Sequence, residues 1–240
     1  MTLLDHSPPS PTESLALDEV MLELAETGPG GEVLVFWEPS EVFVVVGYAN
    51  KVATEVDVAA CEARGILIFR RCSGGGTVVQ MPGGLNYGLI LSINEEGPTR
   101  NITAANQFIM EKNRAAIGTL LPDSAITVRG HTDLCLADVK FGGNSQRRRK
   151  NFLLFHGTLL LDCDLRLITE LLPMPSLQPG YRASRPHQDF LTNLNLSAEK
   201  VKATLAKEWN ATEKLSHPPL KEIAQLARDK YSSREWNLKY

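Results

Sequence analysis

The stretch Phe69–Leu91, FRRCSGGGTVVQMPGGLNYGLIL, places three glycines behind two arginines and between two apolar segments. Ile66–Phe69 reads as a strand that delivers the chain into the glycines, and the β-branched run Thr77-Val78-Val79 suits a strand leaving them. Past the Pro-Gly-Gly turn, Leu85–Ile93 is a further strand. Lacking Cβ atoms, Gly74, Gly75 and Gly76 let backbone N–H groups approach a ligand closely and take positive φ. A strand-to-turn segment of this kind forms a nest for phosphate or carboxylate oxygens, and Arg70 and Arg71 would add charge-assisted hydrogen bonds. The same glycines also suit a plain hairpin turn. The loop matches neither GxxxxGK[ST] nor GxGxxG, so neither nucleotide fingerprint applies.

Upstream, Ser14–Ala25 has helical spacing with Ser14 as N-cap, preceded by a loose tail over residues 1–13. Val33–Trp37 and Glu41–Gly47 are strands, and Val56–Ala63 is a short helix closed by Gly65. Downstream come a helix over Thr103–Leu120, strands over Ile126–Val128, Asp133–Phe141 and Phe152–Asp162, and a tight turn at Ala137-Asp138. A Pro-rich loop runs over Leu171–His187, and helices over Ser197–Trp209 and Leu220–Lys230 close the chain. Hairpins without strict βαβ alternation predict an α+β fold, with Trp37, Phe43 and Phe155 in its core.

The 240 residues allow one large domain or two small ones with a substantial core. A net charge of −3 with 43% hydrophobic and 22% charged residues excludes a generally basic nucleic-acid or membrane binder. One local exception is QRRRK, Gln146–Lys150, which reads as a solvated loop or an anion patch. Cys61, Cys72, Cys135 and Cys163 lack CxxC spacing, which argues against zinc and for a reduced interior. With no signal-peptide pattern and no apolar run near the roughly 20 residues of a membrane helix, a cytoplasmic protein is expected.

A second constellation follows in TDLCLADVKFGGNSQ (Thr132–Gln146) and LLFHGTLLLD (Leu153–Asp162). Lys140, in an apolar strand just ahead of Gly142-Gly143, is either an edge guard or a cation aimed at an anionic substrate. His156, between Phe155 and Gly157, is either a satisfied core histidine or a site residue. Asp133 is either a turn cap or a magnesium ligand. The loop YRASRPHQDF (Tyr181–Phe190) either wraps the fold through arginine hydrogen bonds, closes over the site, or docks an acidic carrier.

In order and spacing, RRCSGGGTVV, LNYGLIL, DLCLADVKFGGNSQ and FHGTLLLD resemble the lipoate–protein ligase A family. Its superfamily also holds biotin ligases and octanoyltransferases. Further matching pieces, SLALDEVML, VVVGYANKVATEVD and ARDKYSSREWN, extend the resemblance from about Ser14 to Asn237. It implies a biotin/lipoyl ligase catalytic-domain fold, with mixed, largely antiparallel sheets flanked by helices. Residues 1–240 would then be a single catalytic domain, with 197–240 packing on it and no separate accessory domain.

By the same resemblance, Lys140 contacts the acyl carboxylate and α-phosphate and is the catalytic residue. Arg71, Ser73, Gly74, Gly75, Gly76, Thr77, Val78 and Val79 hold the adenylate phosphate and acyl chain. Asn86, Gly143, His156, Gly157 and Thr158 line the acyl pocket, and Asp133 contacts Mg2+. The implied substrates are ATP with Mg2+, or pre-formed lipoyl-AMP, together with lipoate or octanoate. The implied partners are a lipoyl carrier domain of the H-protein or E2 type and, as a second option, a separate accessory-domain protein, with no nucleic acid and no membrane.

Two positions depart from the family pattern. Gln80 stands where many members have histidine, and Gly47-Tyr48-Ala49-Asn50 stands where many have Gly-Arg. These departures keep two alternatives open: an ATP-independent octanoyl or lipoyl transferase using a thioester cysteine, and a non-catalytic acyl- or carrier-binding subunit. A thioester cysteine would best be Cys72. Cys135 would face away from Lys140 if their strand stayed regular.

Overall fold

A computed structural model describes residues 1–28 and 30–240. The chain opens with strand β1 (Thr2–Asp5), helix α1 (Pro11–Thr27) and strands β2 (Val33–Trp37) and β3 (Phe43–Val46). Two short helices, α2 (Val52–Glu55) and α3 (Val58–Ala63), lead to β4 (Ile68–Arg70). The glycine loop follows, then β5 (Val78–Gln80) and β6 (Gly84–Ser92). After α4 (Ile102–Gly118) come β7 (Ile126–Arg129), β8 (Asp133–Leu136), β9 (Val139–Arg148) and β10 (Phe152–Leu160). Next are α5 (Leu165–Leu171), a strap ending in α6 (His187–Phe190), and α7 (Ala198–Glu208). The last elements are β11 (Glu213–Lys214), α8 (Leu220–Leu226) and α9 (Arg234–Asn237).

Eight strands form one sheet in the order β11-β1-β2-β6-β10-β9-β8-β7, and three form a second in the order β4-β3-β5. From β2 across to β7 every pairing is antiparallel, whereas β1 with β2, β1 with β11 and β3 with β4 run parallel. The expected α+β class with mixed, largely antiparallel sheets holds. One face of the large sheet packs on α4 and α7, joining Phe36 and Leu89 to Ile109 and Leu205. The other face receives α1, joining Val35 and Ile90 to Leu17. With both faces covered, β2 is buried along its whole length, as its unbroken apolar run requires. Strand alternation splits β3: Phe43 and Val45 join the α1 core, while Val44 and Val46 pack with Leu171 of α5. Trp37, Phe43 and Phe155 are all core residues.

Three expectations are corrected. Residues 1–13 are no loose tail: β1 adds to β2 in parallel, and α1 already starts at Pro11. Ser10, not Ser14, is the N-cap, accepting from Glu13 N, with Pro11 in the first helical turn where its missing N–H costs nothing. The basic run lies mostly on β9, and its arginines are occupied. Arg147 donates to Cys72 O, Arg148 to Thr99 O and Arg149 to Glu23, so these charges brace the fold instead of forming an anion patch. The last long helix also changes character, passing at Ala227–Tyr231 into a π-helical turn that buries Tyr231.

Candidate active site

A cavity of about 620 Å3 lies along the seam of the two sheets, walled by the glycine loop, β9, β10 and the strap. Every site residue named from the sequence borders it except Ser73 and Gly74.

The two arginines diverge because neighbouring residues of an extended chain point to opposite sides. Arg70 is fully buried and donates to the carbonyls of Gly47, Tyr48 and Asn50. Arg71 points into the glycine loop, donating to Ser73 Oγ at 3.1 Å, to Gly76 O at 2.7 Å and to Gly74 O. Burial lowers the Arg71 guanidinium to about 10, which leaves it cationic at neutral pH. Arg70 thus braces the residue 47–50 turn, and Arg71, on the cavity wall, shapes the glycine loop. Gly75 takes φ +81°, and a Cβ at Gly47 would overlap Gly75 O. The glycines therefore allow both a left-handed backbone and the close approach of the residue 47 turn. Among the described residues, the N–H groups of Gly74, Gly75 and Gly76 have no protein acceptor, leaving three donors in the loop.

Lys140 stands across the cavity on β9, with Nζ 2.7 Å from Asp133 Oδ1 on β8. The chain reverses between them at Ala137, φ +51°, where a hairpin replaces a continuous strand. Cys135 consequently pairs with Lys140 across the hairpin, so the two share a face, contrary to the regular-strand expectation. Lys140 curls over Gly143, where a Cβ would come within 2.8 Å of Nζ. The cavity's other basic side chains are committed: Arg182 donates to Arg185 O, and His187, kept neutral by burial, sits between Arg182 and Pro173 O.

His156 is neither a simple core histidine nor free in the pocket. Its Nδ1 lies 2.6 Å from Asp18 Oδ2 and its Nε2 lies 2.5 Å from Ser73 Oγ. Asp18 can only accept, so a neutral His156 donates Nδ1–H to it and leaves Nε2 to accept from the Ser73 hydroxyl, which itself accepts from Arg71 Nε. The residue types are those of a hydrolase triad, yet Ser73 is 2% exposed and lies off the cavity wall. It is a brace for His156 and not an accessible nucleophile. Deeper in the pocket, Gln80, Asn86 and Thr158 close a ring of hydrogen bonds at 2.6–2.9 Å, and that ring is the role of the residue standing where many relatives have histidine.

Sequence reasoning missed Asp18, although an Asp-Glu pair inside an apolar helix is a signal. Asp18 reaches His156 because β6 has Gly88 opposite it, where a Cβ would come within 3.1 Å of Asp18 Oδ1. Tyr181 was also missed as an Asp133 partner, and nothing local marks it. Asp18 Oδ1, Trp37 Nε1 and Thr77 Oγ1 are buried on the cavity wall without a protein partner, as expected where a polar ligand completes the hydrogen bonding.

Asp133 is a poor resident metal ligand, because Lys140 and Tyr181 occupy both its oxygens. No group of three or more His, Cys, Asp or Glu stands together among the described residues. The residues present do not make a standing magnesium cage.

Comparison with known proteins fits this geometry to a family. A model of the lipoyl protein ligase A/B catalytic domain matches residues 10–210. The chain belongs to that family. It is 26% identical to a lipoate-protein ligase A subunit 1 of Thermoplasma acidophilum, over 98% of this chain and 95% of the relative. It is also 26% identical to an octanoyltransferase LipM of Geobacillus kaustophilus, over 95% and 94%. Among solved structures, a lipoate-protein ligase A bound with ATP superposes with a TM-score of 0.76 at 24% identity, covering 99% of this chain and 98% of that one. That likeness shows the fold. No described helix is long and apolar enough to cross a membrane.

Proposed function

We propose that this family member is a lipoate–protein ligase-like enzyme that attaches lipoate or octanoate to a carrier-domain lysine through an acyl-adenylate. The observation that carries the reading is Lys140, a cation on the cavity wall not committed to backbone carbonyls, facing a glycine loop with three unused N–H donors. Adenylation brings an acyl carboxylate against an α-phosphate, two anions that repel. The carboxylate oxygen attacks phosphorus and pyrophosphate leaves; the carrier amine then attacks the acyl carbon and AMP leaves. Lys140 and the loop amides offset the charge that develops in both steps. Magnesium enters here as part of the ATP substrate, whose phosphates supply most of its ligands. A separate accessory chain is a second expected partner, since one relative is itself named a subunit. Four unpaired cysteines fit a cytoplasmic, reducing setting.

Mass spectrometry of an apo lipoyl domain incubated with the chain tests this reading. One tube holds lipoate, ATP and magnesium, and another holds lipoyl-adenylate. A lipoyl increment in the first marks a self-sufficient ligase, and one in the second alone marks transfer that needs a partner for activation. Its absence from both sinks the proposal.

The thioester route is disfavoured by all four thiols being buried. Burial, aided by Glu19, raises Cys72 to about 12; Cys163 rises to about 11, and Cys61 and Cys135 are raised as well. None is a thiolate at neutral pH. Cys72→Ala and Cys135→Ala should each keep carrier modification, and loss in either one would favour the transferase.

Gly143→Ala is expected to act on Lys140 alone. The new Cβ crowds the mobile end of the lysine side chain at 2.8–2.9 Å and stays at an ordinary 3.8 Å from Asp133 Oδ1, so the backbone stays and the ammonium moves. Carrier modification should fall by about a hundredfold, the scale of a 1 Å misplacement. An unchanged melting temperature would accompany it, and unchanged activity would show that Lys140 need not sit over Gly143.

A further inference from the structure

The strap carries an aromatic residue that the reaction above does not use. Tyr181 Oη donates to Asp133 Oδ2 at 2.7 Å, and Asp133 Oδ1 holds Lys140 Nζ at 2.7 Å. Cys135 Sγ lies 3.6 Å from the same phenol oxygen. Burial and the Asp133 carboxylate push the Tyr181 phenol far up, so it stays a protonated donor.

The segment bearing Tyr181 is firmly placed. The Tyr181 ring sits 5.3 Å from that of Phe190, and the Arg182 guanidinium lies 4.5 Å over Phe190. Arg185 donates to Tyr181 O and to Asp138 O in the hairpin turn. Ala183 and Ser184 both hold positive φ, 49° and 56°, a conformation that residues with a Cβ keep only where surrounding contacts impose it. Past α6, Thr192 N donates to Lys140 O. The strap therefore grips the β8–β9 hairpin on both sides of Lys140.

We infer that Tyr181 is a positioning residue for Lys140, acting through Asp133; this rests on the role proposed above for Lys140. An oxygen of a largely buried carboxylate that has no other donor is free to turn toward a neighbouring ammonium, whose three N–H groups can serve both oxygens. Tyr181 occupies one oxygen, disperses its charge and fixes the carboxylate plane, so Asp133 presents Oδ1 alone. Lys140 is then held at the wall by a single contact that an acyl carboxylate or α-phosphate displaces. Without the hydroxyl, Asp133 chelates the ammonium and competes with the substrate.

The test measures the dissociation constant of a non-hydrolysable lipoyl-adenylate by calorimetry for six proteins: wild type, Tyr181→Phe, Lys140→Met, Asp133→Asn and the two double variants that add Tyr181→Phe. Tyr181→Phe keeps the ring on Phe190, and a melting curve checks that it folds. Binding should weaken about tenfold in Tyr181→Phe, the scale of one charge-assisted hydrogen bond. Adding Tyr181→Phe to Lys140→Met, or to Asp133→Asn, should cost nothing further, because the route through the ion pair is already cut. Equal losses in every background, or no loss in wild type, would overturn the inference while leaving the ligase reading intact. A wild-type chain that fails to bind the analogue would overturn both.

Discussion

Lys140→Ala stops adenylation without unfolding the chain. The expected loss is about a thousandfold in lipoyl-adenylate formation, the size seen when a preorganised charge is removed from a developing anion. Two effects add here. The cation that offsets carboxylate and phosphate disappears, and Asp133, 2.7 Å from Nζ in the intact protein, is left as an uncompensated negative charge facing the same anions. Lys140→Ala with Asp133→Asn should therefore be more active than Lys140→Ala alone, a reversal that a purely structural lysine would not produce. The pair is largely buried, 25% and 15% exposed, but Tyr181 still donates to Asp133 once the ammonium is gone, so the melting temperature should fall only slightly. Pyrophosphate release reports the first step, and hydroxamate formation from supplied lipoyl-adenylate reports the acyl-transfer capacity that remains. More than a tenth of wild-type adenylation in Lys140→Ala would remove this residue from the centre of the mechanism.

Arg71→Leu acts on stability first and on activity through it. The guanidinium ties Ser73 Oγ, Gly74 O and Gly76 O together; with a leucine there, Gly74 O keeps Ser145 Oγ as donor while Ser73 Oγ and Gly76 O lose theirs. An orphaned acceptor costs ~1–3 kcal/mol, so a loss of about 2 kcal/mol is a conservative expectation. For a chain of this length that corresponds to a fall of roughly 4–8 °C in melting temperature. Ser73 would also lose the donor that directs its proton to His156, loosening the acyl pocket. Arg71→Lys should rescue little, because one ammonium cannot span three acceptors held by a planar fork. A melting curve within 2 °C of wild type, paired with lost adenylate binding, would instead show that Arg71 touches phosphate, as the sequence alone had implied.

Much of the fold was legible in local pattern. The apolar run of β2, the helical spacing of α1 and α4, and the glycine loop between two strands are short-range properties of backbone and side-chain periodicity. They placed most elements within a few residues, while the family resemblance gathered Lys140, Gly143, His156 and Thr158 into one site, and the structure sets them on the neighbouring strands β9 and β10. Apart from the N-cap, which moves from Ser14 to Ser10, errors fell where the partner comes from far away. Thr2–Asp5 has too little pattern to declare itself and becomes a strand only because β2 offers it an edge.

Local pattern sets which elements form and which faces they bury, and the family resemblance links the glycine loop and the strand lysine in one chemistry. Where the polar groups point is a matter of tertiary packing. Arg70 and Arg71 looked equivalent as neighbours, but one caps carbonyls of the residue 47–50 turn and the other braces the glycine loop. Asp18 finds His156 across 138 residues of chain, and Tyr181 finds Asp133 across 48. Periodicity records burial, which is averaged over many contacts. A hydrogen bond is directional and depends on a single partner, whose position is set by how α1 and the strap pack on the sheet.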